Sequence, residues 1–153
     1  MKIREARAEE IPRIVELWSE MWDFHAAFDP HYRKSPLAER VMALWIGENV
    51  DSERATVLVA EEGEIVGYVC GASLENPPVT PDQFFGYVSE IAVTESSRRT
   101  GAGGKLLEAI HDWFRGKGVP YVEVNVSVRN GLSRSFWRKN GYGDFLERLR
   151  RAL

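Results

Sequence analysis

The residues with the plainest chemical meaning are Arg98-Arg99-Thr100-Gly101-Ala102-Gly103-Gly104-Lys105, a glycine-rich run between an apolar segment and an amphipathic one. Glycines where a helix begins let a bulky anion approach the free amide hydrogens of the first turn, and those amides, aided by the helix dipole, bind phosphate. Two well-known phosphate loops do not fit. A nucleotide-hydrolase loop needs glycine five residues before its Gly-Lys pair and Ser or Thr after it, where this chain has Arg99 and Leu106. A dinucleotide fingerprint needs a third glycine at Leu106 and belongs to an opening strand-helix-strand unit, whereas this run comes late in the chain. Neither ATP nor NAD is the expected ligand.

The elements around the run must position it. Phe84 to Thr94 reads as an apolar strand and Gly101 to Lys117 as a helix burying Leu106, Ile110, Trp113 and Phe114. Val119 to Val128 alternates, with Val122, Val124, Val126 and Val128 on one face, and is the clearest strand. Strand, helix and strand in that order make a parallel pair if the strands join. Upstream, residues 1 to 6 read as a strand and Glu9 to Phe28 as a helix. A second helix runs from Leu37 to Asn49 with Val41, Leu44 and Trp45 on one face, and Ala55 to Glu61 and Glu64 to Ser73 form a hairpin around Glu62-Gly63. Downstream, Ser133 to Asn140 is helical, Gly141 ends it, and the tail from Asp144 forms a last strand or an irregular arm.

The spacing Arg-x-x-Gly-x-Gly of Arg98, Gly101 and Gly103 resembles the acetyl-coenzyme A (acetyl-CoA) signature of the GCN5-related N-acetyltransferases, the GNAT family. Tyr87-Val88-Ser89-Glu90-Ile91-Ala92-Val93 looks like that family's fourth strand, and Asn130, Phe136 and Gly141-Tyr142 resemble its second motif. The resemblance covers nearly the whole chain. It implies an α/β (α+β) fold in one domain over residues 1–153: a central mixed, mostly antiparallel sheet with a parallel, splayed strand pair, flanked by about four helices. It further implies that Ile91, Ala92 and Val93 offer backbone groups to the pantetheine arm and that Arg98, Arg99, Thr100, Gly101, Ala102, Gly103 and Gly104 hold the pyrophosphate. Asn130, Ser133, Phe136 and Trp137 would also line the cofactor.

Acetyl transfer to an amine needs a neutral nucleophile, yet a lysine-like amine has a pKa of about 10.4, so about one molecule in a few thousand is neutral at pH 7. A proton acceptor is required, and Glu90 is the carboxylate nearest the implied thioester. Simple alternation puts Tyr87, Ser89, Ile91 and Val93 on one face of the strand and Glu90 on the other, unless a bulge re-aims it. Trp137 stands where the family places the tyrosine that protonates the departing thiolate. Indole cannot do that, which leaves Ser133, Tyr142, water or an unassisted thiolate. The resemblance places the acceptor pocket near the N-terminal helical pair and the strand, with Trp22, His25, Phe28, Tyr32, Tyr87 and Ser89 as candidates. No metal is needed.

Charge is unevenly distributed. Residues 1 to 97 carry 8 Lys or Arg against 18 Asp or Glu, while residues 98 to 153 carry 12 against 5. The acidic part favours a cationic amine, small molecule or peptide, and the basic part an anionic cofactor. No apolar run is long enough to span a membrane and no secretion signal opens the chain; with the single Cys70 this suits the cytoplasm. Neither nucleic acid nor a membrane is an expected partner, and a homodimer through the C-terminal segment is expected by analogy. The expected function is an acetyl-CoA-dependent N-acetyltransferase acting by direct attack in a ternary complex. The alternative is a non-catalytic CoA-binding or sensing module of the same fold.

Overall fold

Runs of β-branched residues build one sheet, and amphipathic segments cover both its faces. The computed structural model describes residues 1–153. Five strands, β1 (Lys2–Glu5), β2 (Ala55–Glu62), β3 (Glu64–Glu75), β4 (Phe84–Val93) and β5 (Val122–Val124), lie side by side in sequence order. All neighbours are antiparallel except β4 and β5, which run parallel. The four α-helices are α1 (Ile11–Ala26), α2 (Ala38–Val50), α3 (Ala102–Gly116) and α4 (Gly131–Lys139). This is the mixed sheet with one parallel pair that the sequence predicts. No helix is long and apolar enough to cross a membrane.

Side chains of each strand alternate between two cores. Val57, Val59, Tyr68, Cys70 and Ala92 face α1 and α2, where Ile14, Leu17, Trp18, Met42 and Ile46 meet them. Leu58, Ala60, Val66, Val69 and Val88 face α3 and α4, against Leu106, Leu107, Ile110, Phe114 and Trp137. Each fully buried apolar side chain here contributes about 1.5 to 3 kcal/mol. The β2–β3 hairpin turns at Gly63, whose φ of 77° lies in the left-handed region. Glu10 fastens the start of α1 to the sheet: it accepts hydrogen bonds from Arg4 at 2.6 Å and 2.9 Å, while Arg4 also donates to Glu61 on β2.

Three details differ from the sequence expectation. In α2 the buried pair is Met42 and Ile46, whereas Val41 and Leu44 are exposed, because the helix turns a narrower stripe inward than its apolar content suggests. Helix α3 buries Leu107 as well, and Trp113 is only half-buried. The long alternating segment pairs only at Val122–Val124, and Val128 is exposed. It pairs with Gly86, Tyr87 and Val88 of β4 and diverges from that strand beyond them. The tail after Asp144 forms no regular element and takes the irregular course.

Candidate active site

The site is built around an irregularity in β4. Glu90 pairs with Cys70 and Val88 with Gly71, so Ser89 is the extra residue of a β-bulge, and its hydroxyl donates to the Cys70 carbonyl at 3.2 Å. The extra residue changes the phase of the strand. Val88 points to the α3 side, while Glu90 and Ala92 turn to the α1 side and Ile91 and Val93 return to the α3 side. Tyr87 therefore shares a face with Glu90, not with Ile91 and Val93 as simple alternation predicts. Pairing to β5 stops at Val88 and Val124, and the strands splay beyond that point. The Thr94 amide donates to Val66 on β3, so alternation aims the amides of Ile91 and Val93 away from β3, into the gap.

Glu90 stands beside that gap. The Tyr68 hydroxyl donates to its carboxylate at 2.7 Å. Burial pushes the Glu90 pKa up to about 7, against the lowering effect of Tyr68 and of the Trp18 indole. The indole acts from outside hydrogen-bond geometry, since its buried N–H has no partner. Burial likewise raises Tyr68 and Cys70 well above their ordinary values, so both stay protonated around the carboxylate. A carboxyl group poised near neutrality can take a proton from an amine and pass it on.

At the end of the gap, Gly101 opens α3 with a φ of 91°, a left-handed conformation that glycine adopts without strain. The amides of Ala102, Gly103 and Gly104 donate to no backbone carbonyl; the first such bond runs from Lys105 to Gly101. A Cβ at Gly101 or Gly104 would meet nothing within 4 Å, whereas one at Gly103 would touch Phe136 of α4 at 3.4 Å. Arg98 lies over the Phe24 ring of α1, 5.6 Å from its centroid, and its Nε donates to the Val93 carbonyl at 3.3 Å. Arg99 is exposed with a φ of 65°, and Thr100 donates to Ser97 at 2.7 Å. Open amides, a cation beside them and unpaired strand amides leading inward fit a diphosphate carrying an extended amide-containing arm.

Helix α4 closes the other side of the gap. Asn130 is buried and caps the helix by accepting from the Ser133 amide at 3.0 Å. That fixes its orientation, so its Nδ2 donates to His25 Nε2 at 3.2 Å; the His25 proton then sits on Nδ1, which donates to the Met21 carbonyl at 2.9 Å. His25, Trp22 and Tyr32 form one aromatic cluster with Trp18, and Phe28 stacks edge-on against Phe24. Four acceptor candidates, Trp22, His25, Phe28 and Tyr32, thus lie together at and just beyond the end of α1, facing the start of α4, while Tyr87 and Ser89 stand on β4.

Trp137 and Tyr142 lie elsewhere. Trp137 is buried in the α3-side core and packs edge-on against Tyr142, whose hydroxyl meets His111 at 2.7 Å. Burial pushes Tyr142 up to about 12. Both are on the face of the sheet opposite Glu90. A cavity of about 420 Å³ runs along α3, lined by Gly101, Gly104, Lys105 and His111 among others, and Glu90 is not in its lining. Sequence reasoning missed Tyr68, Phe24 and Asn125, whose Nδ2 donates to the Tyr87 hydroxyl at 2.9 Å; all three reach the site only through the pairing of distant strands and helices. No side-chain cluster is arranged to hold a metal ion.

Comparison with known proteins agrees with this fold. The uncharacterized N-acetyltransferase YhfO of Bacillus subtilis is 25% identical over 149 residues, 93% of this chain and 89% of that one. Among solved structures, the tetramutant of the BH1408 protein from Bacillus halodurans superposes with a TM-score of 0.90 over 100% of both chains at 22% identity. A predicted acetyltransferase from Clostridium acetobutylicum, solved with acetyl-CoA, has a TM-score of 0.80 at 17% identity over 99% of this chain and 95% of that one. A family model for the acetyltransferase (GNAT) family matches residues 11–142, and the chain belongs to that family.

Proposed function

We propose that the protein transfers an acetyl group from acetyl-CoA to a primary amine by direct attack in a ternary complex. The observation that carries this reading is the splayed edge of β4, which has Glu90 at one side and three unpaired α3 amides at its end. The amides of Ala102, Gly103 and Gly104, with Arg98 beside them, hold the diphosphate. Ile91 and Val93 orient the pantetheine arm by pairing with it as a missing strand would. Acetyl-CoA supplies an activated acyl group whose carbonyl is open to attack. The Ile91 amide, fixed in the gap, stabilises the oxyanion. Glu90 takes the proton that the neutral amine nitrogen sheds as it attacks, directly or through one water.

The acceptor is a cationic amine, in keeping with the acidic balance of residues 1–97 and the aromatic cluster of Trp22, His25 and Tyr32. With Cys70 a free buried thiol, the reading places the enzyme in the cytoplasm. A homodimer joined through the C-terminal segment, where Phe145, Leu146 and Leu149 stand exposed, belongs to it as well. The test is release of free thiol from acetyl-CoA with spermidine, kanamycin and a lysine-containing peptide, alongside calorimetric titration of acetyl-CoA. Thiol release with one of them supports the transferase. Tight binding with no release from any amine points to the non-catalytic CoA module, and absence of binding removes both.

A further inference from the structure

We propose that Tyr87 gives its hydroxyl proton to the sulfur that leaves when the acetyl group is transferred. The inference rests on the acetyl-CoA reading above. Trp137, at the family's usual position for that proton donor, is buried in the core and carries no acidic hydroxyl. The proton has to come from elsewhere.

Tyr87 stands at the apex of the splay. It pairs with Glu123 one step before the last β4–β5 pair, and its phenol oxygen accepts a hydrogen bond from Asn125 Nδ2 at 2.9 Å. Asn125 is the first residue of the chain to leave the paired region of β5. The hydroxyl oxygen is thus held by Asn125, just past the end of β5, while its own proton has no acceptor in the structure. The β-bulge at Ser89 is what puts this phenol on the Glu90 face, so proton acceptor and proton donor flank the same opening.

The other hydroxyls are engaged or poorly matched. Tyr68 spends its proton on Glu90, and Tyr142 meets His111 across the sheet. Ser133 is an alcohol, far less acidic than a phenol, whereas phenol and thiol differ by only about two units in ordinary pKa. The charged surroundings also suit a transient phenolate. Burial and the nearby Glu90 and Glu123 keep Tyr87 protonated at rest, while Asn125 and Arg148 favour the charged oxygen once the proton has left.

Protons balance with solvent taking part: the ammonium form of the acceptor first releases one proton to solvent and reacts as the neutral amine. The amine nitrogen bonds to the carbonyl carbon and loses one proton to Glu90; the carbon–sulfur bond breaks with its electron pair going to sulfur. Tyr87 protonates that sulfur, and the proton on Glu90 restores the phenol through solvent. The products are the amide and the free thiol.

The first measurement uses CoA alone and needs no acceptor. The ultraviolet absorbance of the thiolate is followed from about pH 6 to pH 10 with CoA bound to the wild type, to Tyr87→Phe and to Asn125→Leu. A phenol donating to the sulfur stabilises the bound thiolate, so the bound thiol should ionise about one unit higher in Tyr87→Phe, a tenfold change in its acid constant, with a smaller shift in the same direction in Asn125→Leu. Glu90 titrates in all three proteins and cancels in the comparison. With the amine that the wild type turns over, Tyr87→Phe should lower kcat by about 100-fold and leave the amine KM within about threefold. An unchanged thiol ionisation, or a rise in amine KM with kcat kept, overturns the role of Tyr87 while leaving the transferase reading intact. Failure of the wild type to bind CoA overturns the cofactor reading itself.

Discussion

The Tyr68 hydroxyl reaches from β3 to the Glu90 carboxylate of β4 at 2.7 Å, and both residues turn toward α1. A donor to the charged form stabilises that form, so this bond holds the Glu90 pKa lower than burial alone would set it. In Tyr68→Phe the donor is lost and the shape is kept. The rising limb of the pH–rate profile, expected near pH 7 in the wild type, should move up by about one unit in that variant. A profile that stays in place or moves down would remove Glu90 as the titrating group.

Glu90→Gln should separate stability from activity. Because the folded pKa of Glu90 is raised to about 7, the folded state binds more protons than the unfolded state between about pH 4.5 and pH 7, so stability falls as pH rises through that window. The cost of the ionised carboxylate at pH 8 amounts to about 3 kcal/mol at most. Replacement by the neutral amide, which can still accept from Tyr68, should leave stability unchanged near pH 4 and raise it at pH 8. Thermal melts at the two pH values read this directly. Turnover should fall by about 100-fold or more.

Two glycines of the α3 start should respond in opposite ways. Gly101→Ala forces a side chain into left-handed backbone and should cost about 1 kcal/mol, with no clash to add to it. Gly104 sits inside the helix with open space around it, so Gly104→Ala should gain up to about 1 kcal/mol. Gly104→Leu should fold equally well yet obstruct the anion, and its thermal shift with acetyl-CoA should shrink. A Gly104→Leu protein with the full shift would contradict the anion-binding reading of this helix start.

Asn130 joins α4 to the end of α1. In Asn130→Ala the helix loses its cap, at about 1 kcal/mol, and His25 loses the donor that faces its Nε2. The expected result is a lower melting temperature together with a higher acceptor KM, because the His25 ring is then free to turn. Steady-state kinetics at fixed acetyl-CoA would show an unchanged KM if the ring is held by Met21 and the neighbouring aromatics alone.

The glycine run was legible because its chemistry depends on local order: Gly101 needs its left-handed backbone and α3 follows at once. The order of elements was legible for the same reason, since Leu106, Ile110 and Phe114 repeat at helical spacing and Val122 and Val124 alternate. What stayed hidden depends on tertiary pairing. A β-bulge at Ser89 leaves no mark in composition, so the face of Tyr87 could not be read, nor could the contact of Tyr68 with Glu90 across 22 positions of chain. The stretch from Asn125 to Val128 alternates like a strand, but alternation does not create pairing, and the two strands part beyond Val88, where β4 is bulged at Ser89.

The extra residue in β4 makes the chemistry of this protein a matter of strand length as much as of residue identity. A matching extra residue in β3 between Cys70 and Gly71 would pair with Ser89, restore simple alternation and swivel Tyr87 to the side now held by Val88, parting it from Glu90. Such a lengthened protein would possess a complete inventory of reactive groups, dealt to opposite sides of a wall.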